Sequence, residues 1–341
     1  MKSTRRQLIT SAALSSFAIG YSSLSAQAQT SSTGDLIQSI NGTLNSKLVP
    51  MPVPFTVLLP KGYESMKDLP LLIGLHGGDG IQGFAFFQGA VQAAWDAGEL
   101  PPCVVAIPNS GRSFWLNWKD GSQKWESFLV EEFIPQLKST YKISKLNKKV
   151  ALIGHSMGGL GSLRLAFKYP DQFGGVAALE SAIEPTLIYS ETNIRNTFFR
   201  PAALMESLFG KPVDTAYWAA NNPTNIAAAQ ASKIQESGIQ IYLDVGDRDI
   251  LNTFDGVEFL HRVMWDNGID HEYRVVRGGD HWGKTVPLRF RDGMKFLSRQ
   301  VFSAQDEDAS FAPTKERINQ MKKATGVDPL PIHLPLPRTR P

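Results

Sequence analysis

The chain has 341 residues, 42% of them hydrophobic and 10% aromatic, and a formal charge of +3, which allows one large core or two modest ones. Lys2, Arg5 and Arg6 carry the whole charge excess and residues 1–28 hold no acid, so the remainder is neutral and nothing points to nucleic acid or an anionic membrane as a partner. Cys103 is the only cysteine, which excludes an intrachain disulfide and a thiolate metal cage.

Residues 1–28 read as an export signal, with a basic start, an apolar stretch from about Leu8 to Leu24 and a small-x-small cleavage site at Ala26-Gln27-Ala28. The piece Thr4-Arg5-Arg6-Gln7-Leu8-Ile9 resembles a twin-arginine signal. It implies the twin-arginine export machinery as a partner and a periplasmic or secreted location in a bacterium. An ordinary secretory signal or an uncleaved anchor is the alternative. No other stretch is long and apolar enough to span a bilayer, so no stable membrane insertion is expected once the signal is removed. Residues 29–50 are expected to be irregular, and one domain is expected over 51–300.

Strands are expected at Val53–Pro60, closed by the turn Lys61-Gly62-Tyr63, and then at Leu71–Leu75, Cys103–Ile107, Val150–Ile153, Gly175–Leu179, Ile239–Val245 and Glu272–Val276. Their short, unalternating apolar runs suit strands buried on both faces of a parallel sheet. In that setting Cys103 is a core residue whose thiol is made less acidic by burial. Helical stripes fall at Lys124–Ile134, Met157–Phe167, Asn225–Glu236, Phe254–Trp265 and Pro287–Leu297. The alternation predicts an α/β fold with a mostly parallel, doubly wound sheet, which binds ligands beyond the carboxyl ends of its strands. Residues 183–222 contain Phe198, Phe199, Tyr217, Trp218 and several prolines. They are read as a helical cap inserted over the site or, alternatively, as an outer structural layer. From 301 to 341 the chain turns polar, with a charged helical piece at Thr314–Lys323 and a proline-rich end expected to be extended and peripheral.

The pentapeptide Gly154-His155-Ser156-Met157-Gly158 sits between an expected strand and an expected helix, the layout of a G-x-S-x-G nucleophile elbow. Glycines at both ends let the turn be sharp enough to expose the Ser156 hydroxyl. The Met157 N–H at the helix start is placed to stabilise an oxyanion. A serine nucleophile needs a base. Of the six histidines, His281 follows the last expected strand in the glycine-rich run Arg277-Gly278-Gly279-Asp280-His281-Trp282 and is the candidate. His76 and His155 are expected to pack or to orient the elbow, and His261, His271 and His333 to be structural. The orienting acid is sought around Asp244-Val245-Gly246-Asp247-Arg248-Asp249. Asp249, in the loop past the strand, is preferred, with Asp247 as runner-up and Asp244 assigned to the strand. The run His76-Gly77-Gly78-Asp79-Gly80 matches a loop that supplies a second oxyanion donor, from Gly78 or Asp79. No metal or other cofactor is expected, because there is neither a P-loop nor a dinucleotide fingerprint and the histidines and acids do not cluster at ligand spacing.

Together these motifs resemble the esterase D type of putative esterase within the α/β-hydrolase superfamily, from about Phe55 to Leu297. Further marks are Trp125-Glu126-Ser127-Phe128-Leu129 with Glu132 and Pro135, Tyr169-Pro170-Asp171-Gln172-Phe173, and Gly279-Asp280-His281-Trp282. The resemblance implies an α/β-hydrolase fold and a triad of Ser156, Asp249 and His281. It does not imply one substrate, since the family includes feruloyl and acetylxylan esterases, S-formylglutathione hydrolases, siderophore esterases and mycolyl transferases. Phe114-Trp115-Leu116-Asn117-Trp118 followed by Lys124-Trp125-Glu126 is similar to the mycolyl transferase stretch, although those enzymes use a glutamate where this chain has Asp249. Glu180-Ser181 departs from the serine and glycine of many members, a difference assigned to the acyl pocket.

Three functional readings follow. The first is an exported serine esterase acting on a small-molecule or polysaccharide-linked ester, with Trp115, Trp118 and Trp282 as substrate-binding residues. The second is an acyltransferase that uses the same triad to pass an acyl group to a sugar or alcohol. The third is a non-catalytic scaffold that grips a polysaccharide through those tryptophans.

Overall fold

A computed structural model describes residues 38–81, 84–303 and 312–327. The expected export signal and the proline-rich end lie outside the described residues. Eight strands, β1 (Gln38–Leu44), β2 (Val53–Leu59), β3 (Leu71–Leu75), β4 (Val104–Pro108), β5 (Val150–His155), β6 (Gly175–Leu179), β7 (Gln240–Gly246) and β8 (Glu272–Val276), form one sheet in the order β1-β2-β4-β3-β5-β6-β7-β8. β1 and β2 pair antiparallel with their neighbours and the other strands run parallel.

The helices are α1 (Phe86–Asp96), α2 (Trp125–Ser127), α3 (Ile134–Thr140), α4 (Met157–Lys168), α5 (Ile194–Thr197), α6 (Ala202–Phe209), α7 (Thr215–Asn221), α8 (Pro223–Ala229), α9 (Ala231–Ser237), α10 (Thr253–Asp266), α11 (Val286–Leu297) and α12 (Ala312–Ala324). Successive residues of the buried strands face opposite layers. Leu71, Ile73 and Leu75 join Leu160 and Leu163 of α4 and Val257 and Leu260 of α10, whereas Leu72, Ala151 and Ile153 meet Phe87 and Val91 of α1 and Phe290 and Met294 of α11. Covering both faces is what permits the unbroken apolar runs, and Cys103 is buried in the layer of α1 and α11 with its thiol pushed up to about 12 by loss of solvation. Among the described residues no helix is long and apolar enough to cross a membrane.

The structure corrects four local expectations. Residues 38–44 are not irregular, because Ile40 and Leu44 alternate with polar residues and pair along β2. The helix α1 is not among the expected stripes, although Phe87, Ala90, Val91 and Ala94 make its buried face. Small residues and Gly89 thin that stripe. The single stripe expected at 225–236 is two helices that part at Gln230, where the backbone leaves the helical region (φ −122°). The stripe at 124–134 is continued through α3 by a wider π turn at Phe128–Phe133.

Candidate active site

The turn from β5 into α4 holds Ser156 at φ 57°, ψ −116°, a region that residues with side chains rarely adopt and that persists only where the surroundings impose it. Here the Ser156 N–H is tied to the Leu179 carbonyl at 2.9 Å, and the turn is clasped by close backbone contacts. A methyl at Gly154 would lie 2.3 Å from the Gly158 carbonyl oxygen, and one at Gly158 would lie 1.9 Å from that of Leu75. Only glycine fits at either end.

The Ser156 Oγ lies 2.9 Å from His281 Nε2, and His281 Nδ1 lies 2.7 Å from Asp249 Oδ2. Because Asp249 accepts, Nδ1 carries the proton and Nε2 is left to accept from the serine hydroxyl. Asp249 also takes the Thr253 hydroxyl on Oδ2 at 2.6 Å and the Leu251 N–H on Oδ1 at 2.7 Å. Burial alone would raise this carboxyl, but the hydrogen bonds from His281, Glu180 and Thr253 outweigh it and hold it well below the usual carboxylate range. Asp247 is spent on the N–H of Gly278 at 2.6 Å, and Asp244 sits in β7 on Arg289. Of the three aspartates, the structure brings only Asp249 to the imidazole.

Two further histidines brace this line. Burial, reinforced by the nearby His281 and Arg289, holds His155 well below its ordinary value. It is therefore neutral, and its Nε2–H donates to the His281 carbonyl at 3.0 Å. His76, also lowered by burial, donates from Nδ1 to the Gly77 carbonyl at 2.8 Å and accepts the Ser110 N–H on Nε2 at 3.0 Å. It pins the loop Gly77–Gly80, whose Gly77 comes against the Ser156 Cβ and whose Gly78 and Asp79 line the cleft. On the other side of the serine, Met157 opens α4, whose first N–H groups have no partner within the helix.

The cleft above Ser156 has a volume of about 230 Å³, and Phe114, Phe199 and Trp282 supply its aromatic walls. Phe114 and Trp115 are successive left-handed residues (φ 58° and 53°). That conformation is fixed by the Trp115 N–H on the Ser113 hydroxyl at 3.0 Å and by Arg164 Nη1 on the Phe114 carbonyl at 2.8 Å. Phe199 comes from the segment between β6 and α8. It is anchored there by Arg112, which donates to its carbonyl at 2.8 Å, and by the guanidinium of Arg200 over its ring. That inserted segment therefore supplies a wall of the cleft.

Trp282, 49% exposed, stands edge-on to His281 at the mouth. Trp115 and Trp118 are not brought to the cleft. Trp115 is fully buried against Gly161, with its indole N–H on the His76 carbonyl at 3.1 Å, and Trp118 packs against the core with its indole N–H on the Ser113 carbonyl at 3.3 Å. Apolar spacing in a loop says nothing of which ring turns inward.

The structure also places Glu180 at the site, which sequence reasoning missed as a functional residue. Its backbone is left-handed (φ 46°) and its buried carboxyl meets Arg289, the Gly246 N–H and the Thr253 hydroxyl that Asp249 also holds, outside the lining of the acyl cleft, so the departure at Glu180-Ser181 bears on the triad acid instead of the pocket. Suitable oxygens of Glu180 and Asp249 and a ring nitrogen of His281 lie within 4.8 Å of one another. This cluster was not anticipated from spacing. His281 Nδ1, the nitrogen that faces the two carboxyls, carries the proton that Asp249 accepts, and Arg289 already holds Oε1 of Glu180.

The model of the putative esterase family matches residues 46–291. An esterase of Mycobacterium tuberculosis is 27% identical over 285 residues, covering 77% of this chain and 58% of that protein. A diacylglycerol acyltransferase/mycolyltransferase of Mycobacterium leprae is 30% identical over 178 residues, 49% of this chain and 52% of that protein. The chain thus spans little more than half the length of either relative. A solved ferulic acid esterase superposes with a TM-score of 0.63 at 22% identity, over 78% of this chain and 99% of the other, and shares the fold.

Proposed function

The chain belongs to the putative esterase family, and on that premise we propose that it is an exported serine hydrolase of carboxylic esters. The observation that carries this reading is the unbroken line from Ser156 Oγ through His281 to Asp249, at 2.9 and 2.7 Å, ending on a serine held in a strained turn. The Ser156 oxygen attacks the ester carbonyl as His281 Nε2 takes its proton, and Asp249 fixes the imidazole tautomer and stabilises the imidazolium. The developing oxyanion is held by the N–H groups of Met157 and of Gly78 or Asp79, the first at the positive end of α4. His281 then returns the proton to the leaving alcohol, leaving an acyl group on Ser156. A water activated by His281 releases the acid and restores the serine.

The walls Phe114, Phe199 and Trp282 favour an aromatic or short acyl group in so small a cleft. Export through the twin-arginine machinery to the periplasm or beyond belongs to the same proposal and rests on the Arg5-Arg6 signal. A second reading, acyl transfer to a sugar or alcohol, is favoured by the similarity to a mycolyltransferase and by the exposed Trp282 ring, which could stack an acceptor sugar beside His281.

The test is hydrolysis of p-nitrophenyl acetate, butyrate and octanoate and of a feruloyl ester by the protein and by Ser156→Ala, with transfer to added alcohol measured in the same reaction. Turnover lost in the variant is expected, and a dominant transfer product would select the acyltransferase. Equal rates for the two proteins on every ester would defeat both readings.

A further inference from the structure

Two buried carboxyls, from Asp244 on β7 and Glu180 after β6, face one buried guanidinium, Arg289 of α11, and a third, Asp249 after β7, lies beside Glu180 and against His281, with the neutral His155 of β5 close by. Were all three ionised, the cluster would hold two negative charges without a partner in a dry interior, which is prohibitively unfavourable. One proton must be retained, and the hydrogen bonds locate it. Asp244 accepts from both Nε and Nη2 of Arg289 and takes the guanidinium charge. Asp249 accepts from His281, Thr253 and Leu251. On Glu180, Oε1 is already filled by the Gly246 N–H at 3.1 Å and by Arg289 Nη1. Among the described residues no N–H donor reaches its Oε2, which meets the Thr253 hydroxyl at 3.3 Å, whose single proton is committed to Asp249 at 2.6 Å. The one oxygen in need of a proton is therefore Glu180 Oε2.

We propose that Glu180 is a neutral carboxylic acid that donates a hydrogen bond from Oε2 toward Asp249, acting as the positioning residue that keeps Asp249 ionised and aimed at His281. It deepens, and rests on, the serine-esterase reading. Burial pushes the Glu180 carboxyl up to about 9 against the opposing charge of Arg289, and its contact with Asp249 adds to the rise. The arrangement divides two carboxyls into a donor and an acceptor by environment alone. The serine that many members carry at 180 holds its hydroxyl on Cβ, short of the reach of a glutamic acid, so the feature belongs to this sequence and not to the triad as such.

The test uses the whole protein at neutral pH. Infrared spectra of protein labelled with ¹³C-carboxyl glutamate are expected to show a carboxylic-acid carbonyl band that shifts with the label and is missing in Glu180→Gln. This readout needs no turnover, so it stands or falls separately from the esterase reading, and the labelled unsubstituted protein supplies it even where the variant folds poorly. The carboxamide reproduces the donor, so Glu180→Gln is expected to keep kcat/KM within about 3-fold at pH 7, the scale of one net hydrogen bond. The unsubstituted protein loses kcat/KM as pH passes about 9 and Glu180 ionises beside Asp249, and the glutamine variant does not. Absence of a glutamate carboxylic-acid band would overturn the proposal, and so would a folded Glu180→Gln protein slowed more than about 100-fold at pH 7, far beyond the loss of one net hydrogen bond that the carboxamide replaces.

Discussion

Gly158 is where the elbow and the oxyanion loop meet, and Gly158→Ala tests whether their contact governs activity. The added methyl would sit 1.9 Å from the Leu75 carbonyl oxygen and 2.7 Å from that of His76. Both are backbone atoms, so no side chain can rotate away, and the segment leading into Gly77–Gly80 must retreat by more than 1 Å to reach the 3.0 Å limit below which such contacts are not found. Overpacking of this kind destabilises by about 3 kcal/mol, or roughly 6 °C in Tm for a domain of this size. A displacement of about 1 Å in a donor of the oxyanion site reduces kcat about 100-fold or more. The assay is steady-state hydrolysis of p-nitrophenyl acetate beside a thermal melt. Gly89→Ala in α1, where a methyl meets nothing within 4 Å, is the matched control and should raise stability by about 1 kcal/mol with no loss of rate. If Gly158→Ala retained full kcat and Tm, the steric account of the elbow would be wrong.

Asp249→Asn should lower kcat about 10⁴-fold by presenting the wrong partner to His281 Nδ1, whereas Asp247→Asn, whose carboxyl serves the Gly278 N–H, should leave kcat unchanged. Comparable losses in both variants would return the assignment to an open choice. Because the Asp249 carboxyl is depressed in the fold, its ionised form stabilises the protein above the ordinary aspartate value of 3.8 and that contribution is lost as pH falls below it. The Tm difference between the unsubstituted protein and Asp249→Asn should accordingly narrow on acidification from pH 7 to pH 3. Arg289→Met leaves the buried Asp244 carboxylate without its cation and should destabilise by about 3–5 kcal/mol. The Asp244 carboxyl is already raised by burial, so removing the cation raises it further, and the Tm deficit should be wider at pH 8 than at pH 5. A deficit independent of pH would show that the ionisation of Asp244 is not coupled to folding.

What could be read from the chain was whatever depends on neighbours in sequence. The runs Leu71–Leu75 and Val150–His155 announce strands buried on both faces because every residue of each is apolar, small or buried, and the elbow is legible because its strain is relieved by glycines two residues away on either side. Asp249 and His281 could be nominated because the fold orders them along the chain at strand ends. β1 was obscured because an edge strand with one dry face needs only Ile40 and Leu44 to point inward, and α1 because alanine and glycine bury well while contributing little to an apolar stripe. The tryptophans show a different limit. Composition places aromatic residues near the mouth, but Trp115 faces inward only because a left-handed backbone turns it onto Gly161, from α4, a contact across 46 residues. Glu180 lies beyond both kinds of reading. Beside β6 it is one acid among 32, and its protonation is decided by Arg289, more than 100 residues away, and by Thr253, whose one hydroxyl proton is already given to Asp249. The charge on a buried carboxyl is set by the number of donors that reach it, and that number exists only once strands β6 and β7 and helix α11 have been brought together.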